Sequence, residues 1–330
     1  MGLLCGEIRL KFSLGSTTAV LIIFGMDITA TDRDEPLFDN VESYTTTISA
    51  NNDSADIYFP KPTDLNRRTD TYSFPIALLL QGVNVDKSNY SKFSTQVASY
   101  GFIVVVPNHE KSVPELNLTG LFAETSQIKA VQAQMSAENS NPASPIAGIV
   151  NTQKLALLGH SWGGAVGLCA IANLCLPIFC DGDYSQPDEL VAGVIFGAGL
   201  RHPITQEFVP INNLGIPIAL LQGSNDSIAL PERTEKTYEQ IQAPPKILIN
   251  VSGVNHYGIT NTNNPDGAKA DSSTAAAIAQ DVAVETVARW SGLFLRASVF
   301  NDKDAIDYIY SQGDKLDENV SVQCQPPIHL

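Results

Sequence analysis

The sequence predicts an α/β protein in which a mainly parallel central sheet is covered by helices on both faces. Two observations carry this prediction. Strand-like and helix-like segments alternate from about residue 44 to about residue 298, as they do where parallel strands are joined through helices. Some strand-like segments are also continuous apolar runs, of which residues 76–80 (IALLL) are the clearest, and such runs are typical of strands buried on both faces.

The individual elements are predicted from their length, their apolar periodicity and the turn residues between them. The predicted strands cover residues 45–60, 76–80, 102–106, 155–158, 191–196, 218–221 and 247–251. The predicted helices cover residues 89–100, 121–137, 163–174, 231–242 and 274–296. Within this series, the helix over 121–137 rests on Leu121, Ile128, Val131 and Met135, which fall near helical spacing. The helix over 163–174 is rich in small residues and is therefore able to pack closely on the sheet.

The chain is predicted to form one domain over residues 44–300, because it has no internal repeat and no second apolar core. Residues 301–330 are expected to form a short helix and a tail. Residues 1–30 fit two interpretations. Arg9 and Lys11 precede an apolar run at 19–26 and small residues at 28–30, which resembles a secretory signal. Glu7 and the polar residues at 15–18 fit an irregular tail instead.

The cysteines bear on whether residues 1–30 are a cleaved signal or a tail. Removal of residues 1–30 would leave an even number of cysteines, namely Cys169, Cys175, Cys180 and Cys324. Cys175 and Cys180 bracket a short loop, whereas Cys169 falls in a predicted buried helix where a reduced thiol is expected. A cleaved signal implies an exported protein, periplasmic or secreted, and an uncleaved tail implies a soluble intracellular one. The pairing of the cysteines is left open.

Charge and composition exclude several classes of partner. Hydrophobic residues make up 44% of the chain and charged residues 17%, as in a globular protein with a substantial core. The formal net charge of −15 argues against a nucleic-acid partner and against an anionic membrane surface. No apolar run reaches about 18 residues, so no stable transmembrane anchor is predicted. The histidines are scattered and no cysteine or histidine pair has ligand spacing, so neither a metal nor another cofactor is expected. The oligomeric state is left open.

The strongest motif is Gly-x-Ser-x-Gly at residues 159–163 (GHSWG). It lies between a predicted strand at 155–158 and a predicted helix, which is the context of a nucleophile elbow. Such a turn exposes the serine hydroxyl above a helix N-terminus, where a developing negative charge is favoured. Ser161 is therefore the candidate nucleophile. The strand–turn–helix context predicts the α/β-hydrolase fold.

A serine hydroxyl needs a base to take its proton and a carboxylate to orient that base. In this fold the chain order is serine, acid, histidine, with the acid and the base each following a late strand. Asp226 follows the strand at 218–221, and His256 follows the strand at 247–251. The predicted catalytic triad is therefore Ser161, Asp226 and His256. His160 adjoins the serine, but its side chain is expected to point away from the hydroxyl into the surrounding packing.

The oxyanion hole is predicted from backbone N–H groups. One donor should come from Trp162, the residue after the serine, and the other from the loop that follows the strand at 76–80. In that loop Val83 is the candidate donor, because Gly82 allows the backbone to approach the substrate.

The motifs resemble the esterase branch of the α/β-hydrolase superfamily that contains chlorophyllases, cutinase-like polyester hydrolases and platelet-activating-factor acetylhydrolases. The segments similar to chlorophyllases are residues 78–82 (LLLQG), 88–91 (SNYS), 97–103 (VASYGFI) and 159–164 (GHSWGG). The segments closer to the cutinase-like pattern are residues 223–229 (GSNDSIA) and 253–256 (GVNH). Trp162 departs from the arginine of plant chlorophyllases, and Val83 departs from the aromatic residue usual in cutinase-like enzymes. Both departures affect the substrate pocket.

The resemblance implies a serine carboxylic-ester hydrolase that acts on a small-molecule, apolar ester through an acyl-enzyme. Conversion of chlorophyll to chlorophyllide and phytol is the first substrate hypothesis. A general carboxylesterase or lipase-like enzyme and a polyester hydrolase are the alternatives. The apolar loop at 175–180 is interpreted either as the lining of a long-alkyl site or as a packed loop closed by a disulfide. A hypothesis of another class is a non-catalytic ligand-binding protein on a hydrolase scaffold.

Overall fold

The computed structural model describes residues 34–61, 73–180, 182, 184–272 and 277–327. The choice between a signal peptide and a tail falls on residues 1–30 and so lies outside the described residues. The structure has a nine-stranded sheet and a separate two-stranded hairpin. The strands are β1 (Val41–Ile48), β2 (Asp53–Pro60), β3 (Phe74–Leu80), β4 (Ile103–Asn108), β5 (Glu110–Val113), β6 (Leu118–Leu121), β7 (Val150–His160), β8 (Leu190–Phe196), β9 (Ile218–Gly223), β10 (Lys246–Val251) and β11 (Val320–Gln325).

The large sheet runs in the order β1-β2-β4-β3-β7-β8-β9-β10-β11. Its six central strands, from β4 to β10, pair in parallel, whereas the pairs β1/β2, β2/β4 and β10/β11 are antiparallel. The parallel centre confirms the mainly parallel sheet predicted from the alternation of elements, and the architecture confirms the α/β-hydrolase fold predicted from the nucleophile turn. It also brings the carboxyl ends of β3, β7, β9 and β10 to one edge of the sheet, where the loops of such folds carry their sites.

Helices cover both faces of the sheet. They are α1 (Ser91–Ser99), α2 (Ser126–Ser140), α3 (Trp162–Ile171), α4 (Pro231–Gln240), α5 (Gln280–Leu295), α6 (Lys303–Asp307) and α7 (Gly313–Leu316). Strand β3 shows how the sheet divides the core, since its side chains alternate between the two faces. Ala77 and Leu79 pack with the α1 and α5 side chains, and Ile76, Leu78 and Leu80 pack with those of α2 and α3. The continuous apolar run in the sequence follows from this burial on both faces.

Two segments differ from the sequence prediction. The helix expected over 121–137 begins only at Ser126, because Leu121 is the last residue of the β5/β6 hairpin and pairs with Glu110. The Asn84 side-chain oxygen accepts the N–H of Leu121 at 3.0 Å and fixes the hairpin to the loop after β3. A tertiary hydrogen bond of this kind leaves no local pattern in the sequence.

The segment 301–330 also contains more than the predicted short helix and tail. Residues Val320–Gln325 form β11, which extends the sheet antiparallel to β10. Val320 and Cys324 are buried and alternate with exposed residues, as expected for an edge strand with one covered face. The alternation is visible in the sequence (VSVQCQ), but it is too short to be distinguished there from a tail.

The cysteines resolve part of the pairing that the sequence left open. Cys175 and Cys180 form a disulfide that closes the loop after α3. Cys169 is a buried free thiol, as expected for its place inside α3. Cys324 is disulfide-bonded as well.

His109 lies in a buried network of charges where β4 leads into the hairpin. Its Nδ1 lies 2.9 Å from Asp53, and its Nε2 lies 3.3 Å from Glu124, which also binds Lys111 at 2.6 Å. Burial alone lowers the pKa of His109, but hydrogen bonds and charges of the two carboxylates outweigh it and raise this pKa to about 9. The imidazolium therefore connects the start of β2 to the segment just before α2.

The charge on His109 is expected to stabilise the fold only below its raised pKa. His109→Gln should lower the free energy of unfolding by about 1–2 kcal/mol near pH 6, after allowance for solvent screening. Because the folded pKa lies above that of the unfolded chain, the contribution is complete below about pH 6.5 and is lost as the pH rises through about 9. Urea unfolding of both proteins at pH 6, 8 and 10 measures this difference. An equal loss at pH 6 and pH 10 would contradict the role of the charge.

Candidate functional site

The turn between β7 and α3 holds Ser161 in an unusual backbone conformation, with φ of 54° and ψ of −117°. A side chain at the flanking glycines would clash with the backbone. A Cβ at position 159 would lie 2.7 Å from the Cα of Gly164, and one at position 163 would overlap the carbonyl oxygen of Leu80. These contacts explain why glycine is needed at both positions of the motif. The turn leaves the serine hydroxyl at the N-terminus of α3.

The structure brings the three predicted triad residues together at the carboxyl edge of the sheet. The Ser161 hydroxyl lies 2.8 Å from Nε2 of His256. Nδ1 of the same imidazole lies 2.8 Å from Oδ2 of Asp226. Asp226 and His256 lie in loops at the ends of neighbouring strands, because Asp226 follows β9 and His256 follows β10. The hydrogen bonds form one continuous chain from carboxylate to hydroxyl.

Asp226 determines which imidazole nitrogen carries the proton. Its other oxygen, Oδ1, accepts the backbone N–H groups of Ile228 at 2.9 Å and Ala229 at 2.7 Å. A carboxylate can only accept hydrogen bonds, and Oδ2 of this one lies 2.8 Å from Nδ1 of His256. Nδ1–H of His256 therefore donates to Asp226, which leaves Nε2 as the acceptor for the Ser161 hydroxyl. The nitrogen that faces the serine is thus the basic one.

Asp271 is a site residue that the sequence analysis missed. It is buried, and its carboxylate accepts the backbone N–H of His256 at 3.0 Å and that of Ser227 at 3.3 Å. It also accepts the Ser227 hydroxyl. One carboxylate thus joins the loop that carries the histidine to the loop that carries Asp226. No local motif marks Asp271, because its role depends on contacts with residues far away in the chain.

His160 is fully buried and points away from the serine hydroxyl, as predicted. Its Nδ1 lies 2.9 Å from the Tyr90 hydroxyl, and its Nε2 lies 2.9 Å from the carbonyl oxygen of His256. The Tyr90 hydroxyl in turn accepts the backbone N–H of Gly82 at 2.9 Å. Burial, and then the nearby His256, hold the pKa of His160 well below its ordinary value, so the ring is neutral. Nε2–H donates to the carbonyl and Nδ1 accepts from Tyr90.

This Tyr90–His160 bridge joins the loop after β3 to the histidine loop, and Tyr90→Phe is expected to weaken it. The change leaves the N–H of Gly82 and Nδ1 of His160 without their buried partner. We expect unfolding to become easier by about 1–3 kcal/mol and kcat to fall by about tenfold at unchanged KM, because the neighbouring Val83 N–H is displaced.

Urea unfolding and steady-state kinetics on a soluble ester measure the two effects of Tyr90→Phe. Tyr238→Phe is the matched control, since the Tyr238 hydroxyl is buried without a hydrogen-bond partner in the described structure. Unchanged kcat in Tyr90→Phe would show that the bridge does not position the loop.

The two predicted oxyanion donors lie on either side of the serine. Among the described residues, neither the backbone N–H of Val83 nor that of Trp162 has a hydrogen-bond acceptor. Val83, Ser161 and Trp162 line one cavity together. The Trp162 side chain is held separately, because its indole N–H donates to the carbonyl of Ala123 at 2.9 Å. Both N–H groups are therefore free to meet a substrate oxygen.

Two cavities meet at Ser161. The larger has a volume of about 460 Å³ and is lined by His256, Tyr257, Leu118 of the hairpin and the loop at 267–269. The smaller has a volume of about 200 Å³ and lies on the Trp162 side. Both cavities are lined mostly by apolar groups, as small-molecule sites usually are.

The 175–180 loop forms part of the wall of the smaller cavity. Its Phe179 lines the cavity and packs edge-on against Trp162, with ring centroids 4.8 Å apart. The Cys175–Cys180 disulfide agrees with the interpretation of a packed loop, and the loop also forms part of the wall of a cavity beside the serine. That this wall lines a long-alkyl site stays a prediction.

Comparison with known proteins agrees with these features. A family model described as Chlorophyllase matches residues 34–175. The chain resembles the chlorophyllases. Among similar proteins are the chloroplastic chlorophyllase-1 of Citrus unshiu and that of Citrus sinensis, each 30% identical over 105 residues. That alignment covers 32% of this chain and 31% of each relative, so the chain spans about a third of the length of the curated relatives it matches.

The chlorophyllase match covers the loop after β3 and the nucleophile turn, but not Asp226 or His256. The similarity confirms the predicted resemblance. In the part of the chain that the structure describes, no helix has the length and apolar character needed to cross a membrane.

Proposed function

We propose that this protein is a serine carboxylic-ester hydrolase with the catalytic residues Ser161, Asp226 and His256. The observation that carries the proposal is the unbroken hydrogen-bond chain from Asp226 through His256 to the Ser161 hydroxyl, with distances of 2.8 Å at both steps. Structural ion pairs of aspartate and histidine are common, but they do not end on a serine in a strained turn at the N-terminus of a helix. A non-catalytic binding protein would not require that turn.

The proposed reaction has two steps. His256 Nε2 takes the Ser161 proton while the oxygen attacks the ester carbonyl, and the backbone N–H groups of Val83 and Trp162 stabilise the oxyanion. His256 then gives the proton to the leaving alcohol, which leaves an acyl-enzyme. A water molecule, deprotonated by the same imidazole, releases the acid and restores the serine. Asp226 stays ionised throughout and stabilises the imidazolium.

The proposed reaction also indicates which part of the ester each of the two cavities binds. The alcohol oxygen must receive its proton from Nε2 of His256, so the alcohol part of the ester belongs in the cavity of about 460 Å³ that this histidine lines. The acyl part then extends from the carbonyl into the cavity of about 200 Å³, which His256 does not line. A long apolar alcohol fits this division better than a long acyl chain does.

The resemblance to chlorophyllases makes chlorophyll a substrate to test, with phytol as the leaving alcohol. The chlorophyllide ring is too large for the cavity of about 200 Å³, so with this substrate the ring would have to lie outside that cavity. The wild type should hydrolyse p-nitrophenyl butyrate, and a fluorophosphonate probe should label Ser161, located by peptide mass spectrometry. Incubation with chlorophyll a, followed by chromatography for chlorophyllide, then tests the substrate. Absence of both turnover and labelling would overturn the ester-hydrolase proposal. Turnover of the short ester without chlorophyllide would leave the general carboxylesterase and the polyester hydrolase.

A further inference from the structure

The cavity on the Trp162 side has one charged residue in its described lining. Arg233, in the first turn of α4, lines it together with Ser161, and the other residues of that lining are apolar, glycine or the serine itself. The Arg233 side chain is half-buried. An apolar acyl chain would gain nothing from a guanidinium at this position, because burying a charge without a partner costs free energy.

A second arginine increases the positive charge around this cavity. Burial, and then the positive charge of Arg201, lower the pKa of Arg233. The Arg201 guanidinium stacks on Phe208 at 4.6 Å from the ring centroid, and its buried Nε has no hydrogen-bond partner in the described structure. Two arginines thus interact electrostatically in a chain whose formal net charge is −15.

The nearby carboxylates are engaged elsewhere. Within the described residues, no carboxylate forms an ion pair with Arg233 or Arg201. Asp226 interacts with the charge of Arg233, but both of its oxygens are used by His256 and by two backbone N–H groups. Glu232 interacts with Arg201 but is exposed and bonds to Lys236. Neither arginine therefore has a direct carboxylate partner among the described residues.

We propose that Arg233 binds a carboxylate at the far end of the substrate's acyl part, so that the preferred substrates are half-esters of short dicarboxylic acids. The inference rests on the proposed ester-hydrolase function and on the assignment of the acyl part to this cavity, but not on chlorophyll as the substrate. A carboxylate satisfies the planar donors of a guanidinium, and the apolar walls accommodate the methylene chain between the two ends.

The test compares two esters that differ only at the acyl terminus, namely monoethyl glutarate, which ends in a carboxylate, and ethyl pentanoate, which ends in a methyl group. Acid release in a pH-stat at pH 7.5 gives kcat/KM for each ester, and the quantity measured is their ratio. Because both values come from the same protein sample, partial misfolding of a variant cancels in the ratio. We expect Arg233→Gln to lower the ratio of glutarate to pentanoate by about 10- to 100-fold, the range for a hydrogen bond to a charged group.

Two further variants test whether the effect comes from the charge of Arg233 at this position. Arg233→Lys keeps the charge and should retain part of the preference. Lys129→Gln removes a positive charge from an exposed position on α2 and should leave the ratio unchanged. A ratio for Arg233→Gln within twofold of the wild-type value, with both esters hydrolysed, overturns the inference alone. Failure of the wild type to hydrolyse either ethyl ester, while it still turns over p-nitrophenyl butyrate, also overturns the inference alone. Failure on all three esters, together with no labelling of Ser161, overturns the ester-hydrolase function and the inference with it.

Discussion

Ser161→Ala is expected to lower kcat for p-nitrophenyl butyrate by a factor on the order of 10⁴–10⁶, with little change in the free energy of unfolding. The alanine keeps the Cβ that the turn accommodates and removes only the hydroxyl. No neighbouring side chain can replace it as nucleophile, because His256 Nε2 is directed at this oxygen at 2.8 Å. The backbone donors of Val83 and Trp162 remain, so a small rate above that of the uncatalysed reaction should persist.

Burst and steady-state kinetics measure the Ser161→Ala effect, and urea unfolding verifies that the fold is intact. Ser136→Ala, at an exposed position on α2, is the matched control and should retain full activity. Residual activity of Ser161→Ala within tenfold of the wild type would mean that another residue attacks the ester. In that case the proposed mechanism, rather than the fold, would have to be abandoned.

The second large effect is expected for Asp226→Asn, which should lower kcat by about 10⁴-fold. The asparagine oxygen can still accept the N–H groups of Ile228 and Ala229. Its amide nitrogen then faces Nδ1 of His256 and donates to it, so the imidazole proton moves to Nε2. The nitrogen that should take the serine proton is then already protonated, and the base is lost although the geometry is retained.

Steady-state kinetics on p-nitrophenyl butyrate measure the loss in Asp226→Asn. Asp188→Asn removes an exposed carboxylate and should leave kcat unchanged. A loss of less than tenfold in Asp226→Asn would show that Asp226 does not determine the tautomer of His256. Fluorophosphonate labelling of Ser161 should slow in parallel with hydrolysis, since both reactions need the same base.

The site residues that were predicted from the sequence share one property, which is that each follows a strand recognisable from its own apolar run. Ser161, Asp226 and His256 follow β7, β9 and β10, and parallel strands place their carboxyl ends together without any further information. Val83 follows β3 in the same way. Local pattern and the rules of parallel sheets are therefore sufficient to assemble these residues.

The remaining features depend on contacts that no local pattern encodes. Asp271 holds the histidine loop through hydrogen bonds to backbone N–H groups, and any polar residue in a loop would look the same in the sequence. Tyr90 was interpreted as part of a helix start, and its hydroxyl contacts are visible only once α1 is packed against the sheet. Arg233 resembles an ordinary helix surface residue until the cavity beside it is known.

The Tyr90–His160 bridge has a consequence for attempts to change which esters the protein accepts. Because one buried ring bonds both to the histidine loop and, through Tyr90, to the loop of Val83, the two loops cannot be reshaped independently. Directed evolution of this scaffold should therefore accumulate tolerated substitutions at wall positions such as Leu118, Phe179 and Ile228. Libraries that randomise position 90 or 160 should yield mainly inactive clones, whatever the ester used for selection.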